Sequence, residues 1–399
     1  MKNEKIYFNI FAYNVEPNGV SGGETILIEL FKRISKRFSK VIIFTWKAGA
    51  DLYRIYGLNN VEYKVSNVHL FRNFYLSFLI RIVYSSWLGL TLKLNNPSKN
   101  FLFFSSDFWP DAFCVILLKL RYPSAKFVSN FYLAAPNPFR GFKEKGGLSF
   151  PSLNGFAFWL MQKPIYWFTK KYADLIFVTS EPDVDRFPSQ RKRGRVMVVK
   201  GGVNFEEIKK FNLENKNEKK SYDGVFMGRF HPQKGVLELV SIWKDVVKNK
   251  PNARLIMIGD GPLMNKVTQK IKQFRLGKNI ILKGLILSPK EKYKIFKQSR
   301  IIIHPAVYDS GGMSAAEGMA FGLPAVSFDL LALKSYYPKG MIKIPQGELK
   351  KFAETILKLL ADKYLYDKTG KEALDLIESE WDWDKKAETV GKKLVSLMN

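Results

Sequence analysis

Short apolar runs alternate along this chain with longer stretches in which apolar residues recur every three or four positions. The short runs, at residues 6–12, 41–46, 101–105, 126–130, 175–179 and 196–199, and again at 224–227, 253–258, 280–283, 301–305 and 324–328, read as buried strands. Between them lie helical patterns at 24–35, 236–248, 263–276, 289–298 and 314–321. The first places Ile26, Leu27, Leu30, Phe31 and Ile34 on one face. Strand–helix alternation predicts doubly wound parallel sheets, an α/β class. The polar stretch 211–222, rich in Asn, Glu and Lys, reads as the linker and first loop between two such blocks. The tail from 378 reads as a loop and a final helix opened by Trp381 and Trp383.

Composition narrows the classes. Of 399 residues, 46% are hydrophobic and 15% aromatic, which excludes a disordered chain and permits sizeable cores. A lone cysteine, Cys114, excludes a disulfide scaffold. Three histidines, His69, His231 and His304, leave little for a His-based metal site. The net charge of +28 asks for a polyanionic partner, whether nucleic acid, an anionic membrane or phosphorylated substrates. About two-thirds of the aromatics fall in the first 200 residues, a pairing with cations that suits a membrane interface or single-stranded nucleic acid. Residues 6–12 read as a first strand rather than a signal peptide. The apolar stretch 71–94 is interrupted by Arg72, Arg81 and Lys93, and 156–168 by Gln162, Lys163 and Pro164. Neither reads as a membrane span; both read as core helices or as interfacial ones with Trp87, Trp159 and Trp167 at headgroup depth.

Three constellations carry chemistry. Ser21-Gly22-Gly23-Glu24 lies between the first strand and its helix, where glycines let backbone approach an anion at a helix N-terminus. Gly228-Arg229-Phe230-His231-Pro232-Gln233-Lys234-Gly235 puts two cations on a loop after a strand, the edge at which open parallel sheets bind ligands. It lacks the order of a Walker loop. The sharpest runs from His304 to Pro324: a strand end, Asp309, Ser310-Gly311-Gly312-Met313, then a small-residue helix carrying Glu317. Asp309 and Glu317 are expected to point into one cleft, with free N–H groups of Gly311, Gly312 and Met313 offered to a phosphate or sugar oxygen.

These residues resemble the retaining glycosyltransferases of the GT-B fold known as family 4, or glycosyl transferases group 1. The likeness rests on Asp309 and Glu317 followed by Met319-Ala320-Phe321-Gly322-Leu323-Pro324, on Ser21-Gly22-Gly23-Glu24, on Gly201-Gly202-Val203-Asn204, on Gly228-Arg229 with Lys234-Gly235, on Gly259-Asp260-Gly261-Pro262, and on Trp383-Asp384. It implies two Rossmann-like parallel-sheet domains facing a cleft: an acceptor-binding domain at 1–200, a nucleotide-sugar-binding domain at 201–375, and a helix at 376–399 returning to the first. It implies that Arg229 and Lys234 stabilise the leaving diphosphate, and that Asp309 holds the transferred sugar with backbone help from Ser310, Gly311, Gly312 and Met313. Glu317 would take the ribose hydroxyls, and Gly22 and Gly23 the donor phosphate. No metal or cofactor is implied beyond the nucleotide-sugar co-substrate, UDP-sugar favoured and GDP-sugar open. Asp183-Val184-Asp185 and Asp382-Trp383-Asp384 read as chance triplets.

Two departures stand out. The first acid is Asp309 where the family usually has Glu, a retreat of roughly 1.5 Å. The region after the expected fourth strand, Ser129-Asn130-Phe131-Tyr132-Leu133, lacks the His that many relatives carry, leaving Asn130 or Tyr132 as hydrogen-bonding groups. On the acceptor side, Arg140, Lys143 and Lys145 form a cationic loop, and 191–195 is the densest basic run; each suits either solvent or anionic lipid. The expectation is a glycan-building transferase, peripheral on the cytoplasmic face of the cell membrane, acting on a lipid-linked or membrane-associated glycan. A soluble acceptor, a sugar-nucleotide epimerase and a basic nucleic-acid-binding protein remain open, the last without any recognisable nucleic-acid module.

Overall fold

The computed structural model describes residues 5–15, 20–67, 71, 73–139 and 153–398. Two compact units emerge, one running up to Gly201 and resuming at Trp383, the other spanning Gly202–Asp382.

The first unit holds seven strands: β1 (Tyr7–Ala12), β2 (Lys40–Trp46), β3 (Glu62–Ser66), β4 (Asn100–Phe104), β5 (Lys126–Phe131), β6 (Leu175–Val178) and β7 (Val196–Val198). Their order is β3-β2-β1-β4-β5-β6-β7, parallel throughout. The second holds β8 (Tyr222–Met227), β9 (Leu255–Ile258), β10 (Ile280–Gly284), β11 (Ser299–His304), β12 (Ala325–Phe328) and β13 (Met341–Ile344), ordered β10-β9-β8-β11-β12-β13 and also parallel. The expected α/β class with two parallel sheets is therefore what the chain adopts. Parallel strands covered by helices on both faces read as continuous apolar runs, as in the wholly buried β4 and β9. The edge strands β3 and β13 escape the pattern because their faces are partly open, β3 carrying exposed Lys64 and Val65.

The polar stretch 211–222 is not the boundary between units. The helix Phe205–Glu214 runs into it with only Ile208 buried, and the rest leads into β8 within the second unit. Its polarity belongs to a solvent-facing helix side rather than a linker. The C-terminal helix Trp383–Ser396 packs in the first unit against the helix Gly22–Ile34, where Arg33 Nε donates to Asp384 Oδ1 at 2.5 Å. Gly391 allows that approach, since a Cβ there would stand 2.7 Å from Arg37 Nε.

Aromatic rings fill both cores. Phe8 of β1 stacks on Phe101 at 4.9 Å and meets Phe31 and Phe38. In the second unit Trp381 lies parallel to Tyr337 with centroids 5.2 Å apart and tilts against Tyr336. Trp381 is wholly buried. Its truncation in Trp381→Ala is expected to cost about 3–5 kcal/mol of unfolding free energy, read as a lowered denaturation midpoint for the second unit.

Candidate active site

Within the second unit the carboxyl ends of β8 and β11 carry the candidate residues. The turn Pro232–Lys234 follows the β8 loop and ends at Gly235, which has φ +63°. A Cβ on Gly235 would fall 1.9 Å from the carbonyl oxygen of Pro305, so only glycine lets the two loops touch. The N–H groups of Val307 and Tyr308 then donate to the Gln233 carbonyl at 2.9 and 3.3 Å. This backbone seam carries Lys234 to Asp309 although 75 positions separate them in sequence.

Asp309 is the centre of the cluster. Its Oδ2 accepts from Lys234 Nζ at 2.5 Å and lies 3.1 Å from His304 Nε2. Its Oδ1 accepts from the backbone N–H groups of Ser310, Gly311 and Gly312 at 2.8, 3.2 and 3.2 Å. The carboxylate thus turns back on its own loop, as short Asp side chains do. The N–H groups of Gly311 and Gly312, expected to stand free, point at this oxygen instead. Tyr337 Oη donates to the carbonyls of Gly311 and Gly312 at 3.0 and 2.8 Å and fixes the loop from beneath. Gly312, at φ +57°, leads into the helix Met313–Met319. Met313 is its first residue and rests against the core.

Glu317 leaves that helix in another direction of partnership. Its carboxylate pairs with Lys292 of the helix Pro289–Lys297. Among the described residues Asp309 and Glu317 therefore share no ion-pair partner. Arg229 is exposed and its side chain makes no hydrogen bond or ion pair with a described residue, while its carbonyl accepts from the His231 N–H, so its charge is available at the sheet edge. Burial, then the Arg229 and Lys234 charges, lower the His231 value, so this imidazole stays neutral near pH 7.

The first unit holds a separate group. Ser21 caps the helix Gly22–Ile34 in a reciprocal box with Glu24, which places Gly22 and Gly23 in the first helical turn rather than in a loop. A Cβ on Gly23 would meet the Tyr132 ring at 3.0 Å. Among the described residues the buried Tyr132 hydroxyl finds no hydrogen-bond partner, nor does Asn130 Oδ1, while Asn130 Nδ2 donates to the Ser105 carbonyl. Arg140, Lys143 and Lys145 lie outside the described residues. Of the triplet acids, Asp183 pairs with nearby Arg186 and Asp185 with nearby Arg191, while Asp384 pairs with Arg33 from the other end of the chain.

Sequence reading missed three groups. Lys292 sits on an ordinary amphipathic helix and gave no signal. His304 stands at the end of β11, five positions before Asp309, where its contact was open to inference. Asp111 and Asp107 follow β4 at another carboxyl edge. Asp111 accepts from the N–H groups of Tyr13 and Asn14 and from the hydroxyls of Ser105 and Ser106. Burial pushes both carboxyls up to about 6.

Residues 204–375 match the family described as Glycosyl transferases group 1. That segment is similar to the glycosyl transferases group 1 family, and the match covers less than half of the chain. Among its relatives, an uncharacterised glycosyltransferase of Methanocaldococcus jannaschii is 28% identical over 41% of this chain and 42% of its own length. The poly(glycerol-phosphate) alpha-glucosyltransferase of Bacillus subtilis is 26% identical over 39% of this chain and 23% of its own. These matches thus span less than half the length of either relative. Among solved structures, a Staphylococcus aureus TarM mutant in complex with Fondaparinux, alpha-GlcNAc-glycerol and UDP superposes with a TM-score of 0.71 at 13% identity, covering 99% of this chain and 100% of the other. The likeness carries the fold: two parallel-sheet α/β units of the GT-B type.

The matched segment contains the whole Asp309 cluster. Burial raises the Asp309 carboxyl, but Lys234 and His304 outweigh it and hold it well below the usual carboxylate range. A depressed folded-state value contributes stability at pH above the unfolded value, near 4, and that contribution is lost as pH falls further. Asp309→Asn, which leaves Lys234 unpaired, is expected to cost about 3 kcal/mol at pH 7. The difference from wild type should shrink on acidification below about pH 4, measured by urea unfolding across pH.

Proposed function

We propose that this chain is a retaining, metal-independent glycosyltransferase. It moves a sugar from a nucleotide-sugar donor, UDP-sugar favoured, to a lipid-linked or membrane-associated glycan at the cytoplasmic face of the cell membrane. The observation that carries the reading is the meeting of Lys234, His304 and the Ser310–Gly312 backbone around Asp309, beside Arg229, inside the glycosyl transferases group 1 segment. The UDP in the TarM complex and the polymer acceptor named for the Bacillus relative support the donor and acceptor classes.

In this reading Arg229 and Lys234 face the donor diphosphate and offset the charge that builds on it as the glycosidic bond breaks. Two cations there take the place of a metal ion. Lys234 is already oriented by Asp309, so its charge needs little reorganisation. Asp309 takes a hydroxyl of the transferred sugar on Oδ2 once it displaces the His304 contact, and its ionisation at neutral pH keeps it an acceptor. Glu317 takes the ribose hydroxyls once they displace Lys292. With leaving group and nucleophile on one face of the sugar, the anomeric configuration is retained.

Arg229→Ala should leave the fold unchanged, because Arg229 is exposed, and should lower kcat by about 10²–10³. Transfer of radiolabelled sugar from UDP- and GDP-sugars to membrane extracts measures this. Full activity in Arg229→Ala would remove the assignment. A wild-type thermal shift with UDP but none with GDP would fix the nucleotide.

A further inference from the structure

The helix Phe74–Thr91 of the first unit is inverted. The residues it buries are Ser77, Arg81, Ser85 and Gly89, a polar and small stripe at four-residue spacing. Its outward face carries Tyr75, Leu79, Val83, Trp87 and Leu90, each more than half exposed, with Val83 at 62% and Tyr75 at 73%. Core helices do the reverse. The inward stripe is a built contact: a Cβ on Gly89 would stand 2.9 Å from Leu117 Cβ, and the Arg81 guanidinium lies 4.4 Å over the Trp46 ring. The outward apolar face is therefore not a packing surface awaiting its own fold.

This helix shares one layer with the helices Trp109–Arg121 and Leu153–Tyr172, since residues of all three pack against the same core. The third also turns large apolar groups outward, Leu160 at 52% and Trp167 at 72%, among exposed Lys163, Lys170 and Lys171. Lys163 Nζ sits 4.4 Å over the Trp159 ring. Neither this helix nor Phe74–Thr91 contains an acidic residue, and no acid occurs between Glu62 and Asp107. Aromatics and aliphatics ringed by lysines, without acids, complement the headgroup zone of an anionic bilayer. A second copy of this chain fits worse, because a two-fold interface would set the same lysines against each other.

We propose that the outer face of the helix Phe74–Thr91, with the neighbouring lysine-bearing helix, docks on an anionic lipid membrane and lies on it. With mean hydropathy 1.2 over 18 residues, the helix has the length and composition of a span. Its polar stripe is nevertheless committed to the Trp109–Arg121 helix and to Trp46, which holds it against the protein. Trp87 and Tyr75 occupy headgroup depth, and Leu79 and Val83 the acyl boundary. This deepens the membrane part of the function proposed above and is independent of the donor site.

The test is sedimentation of the full chain, without donor, with vesicles of phosphatidylcholine alone and of phosphatidylcholine mixed with phosphatidylglycerol. Wild type should bind the mixed vesicles and be released by salt. Leu79→Ser with Val83→Ser should weaken binding about tenfold or more while the thermal unfolding transition stays in place. Lys170→Ala and Lys171→Ala should each weaken it about fivefold. No binding to mixed vesicles, or wild-type binding by the double serine variant, would overturn the proposal. So would a lipid-free dimer that the double serine variant converts to monomer. Because no sugar transfer is read, failure here leaves the transferase reading standing, and inactivity of a vesicle-bound protein counts against that reading alone.

Discussion

The ion pair of Lys234 and Asp309 organises the second unit's chemistry. It exists because Gly235 lets the β8 loop touch the carbonyl of Pro305, a contact that any side chain at that position would forbid. A carboxylate buried this deeply is stable only when charge and hydrogen bonds surround it. Lys234, His304 and three backbone N–H groups supply that surround. The same groups that stabilise the carboxylate hold a lysine charge in a fixed place at the sheet edge.

The two units treat buried charge differently. In the second, Asp309 is held as an anion by a cation. In the first, Asp111 is buried and Asp107 half-buried, both with neutral donors, and desolvation raises them to about 6. Asp111 accepts four hydrogen bonds and ties the segment after β1 to the end of β4. One site holds its carboxylate with a cation, the other braces loops through carboxyls satisfied by neutral donors. The outward apolar face of Phe74–Thr91 belongs to the same first unit. Its inverted pattern shows that amphipathicity locates two surroundings, not which of them is protein.

Much of the fold was legible because parallel strands buried on both faces leave apolar runs that survive without tertiary information. Eleven strands left a readable apolar run, the edge strands β7 and β10 among them; β3 and β13 did not, since Lys64 and Lys343 interrupt their short runs. The polar stretch after Phe211 misled for a related reason, as an exposed helix side and a linker have the same composition. At the site, Asp309, Glu317, Arg229 and Lys234 were visible as charges among glycines and small residues. Lys292 was invisible, because a lysine on a surface helix looks the same whether or not a carboxylate lies opposite.

The sequence alone determined which groups are chemically able to act: two cations after one strand, two carboxylates around a glycine loop after another, and a basic, aromatic first half. Tertiary structure decided how they are paired. It joined Lys234 to Asp309 and Lys292 to Glu317, turned the Gly311 and Gly312 N–H groups onto a side chain, and put the apolar side of a helix outward. Pairing depends on close approach between residues far apart in the chain, and such distances are set by packing, which no local pattern encodes.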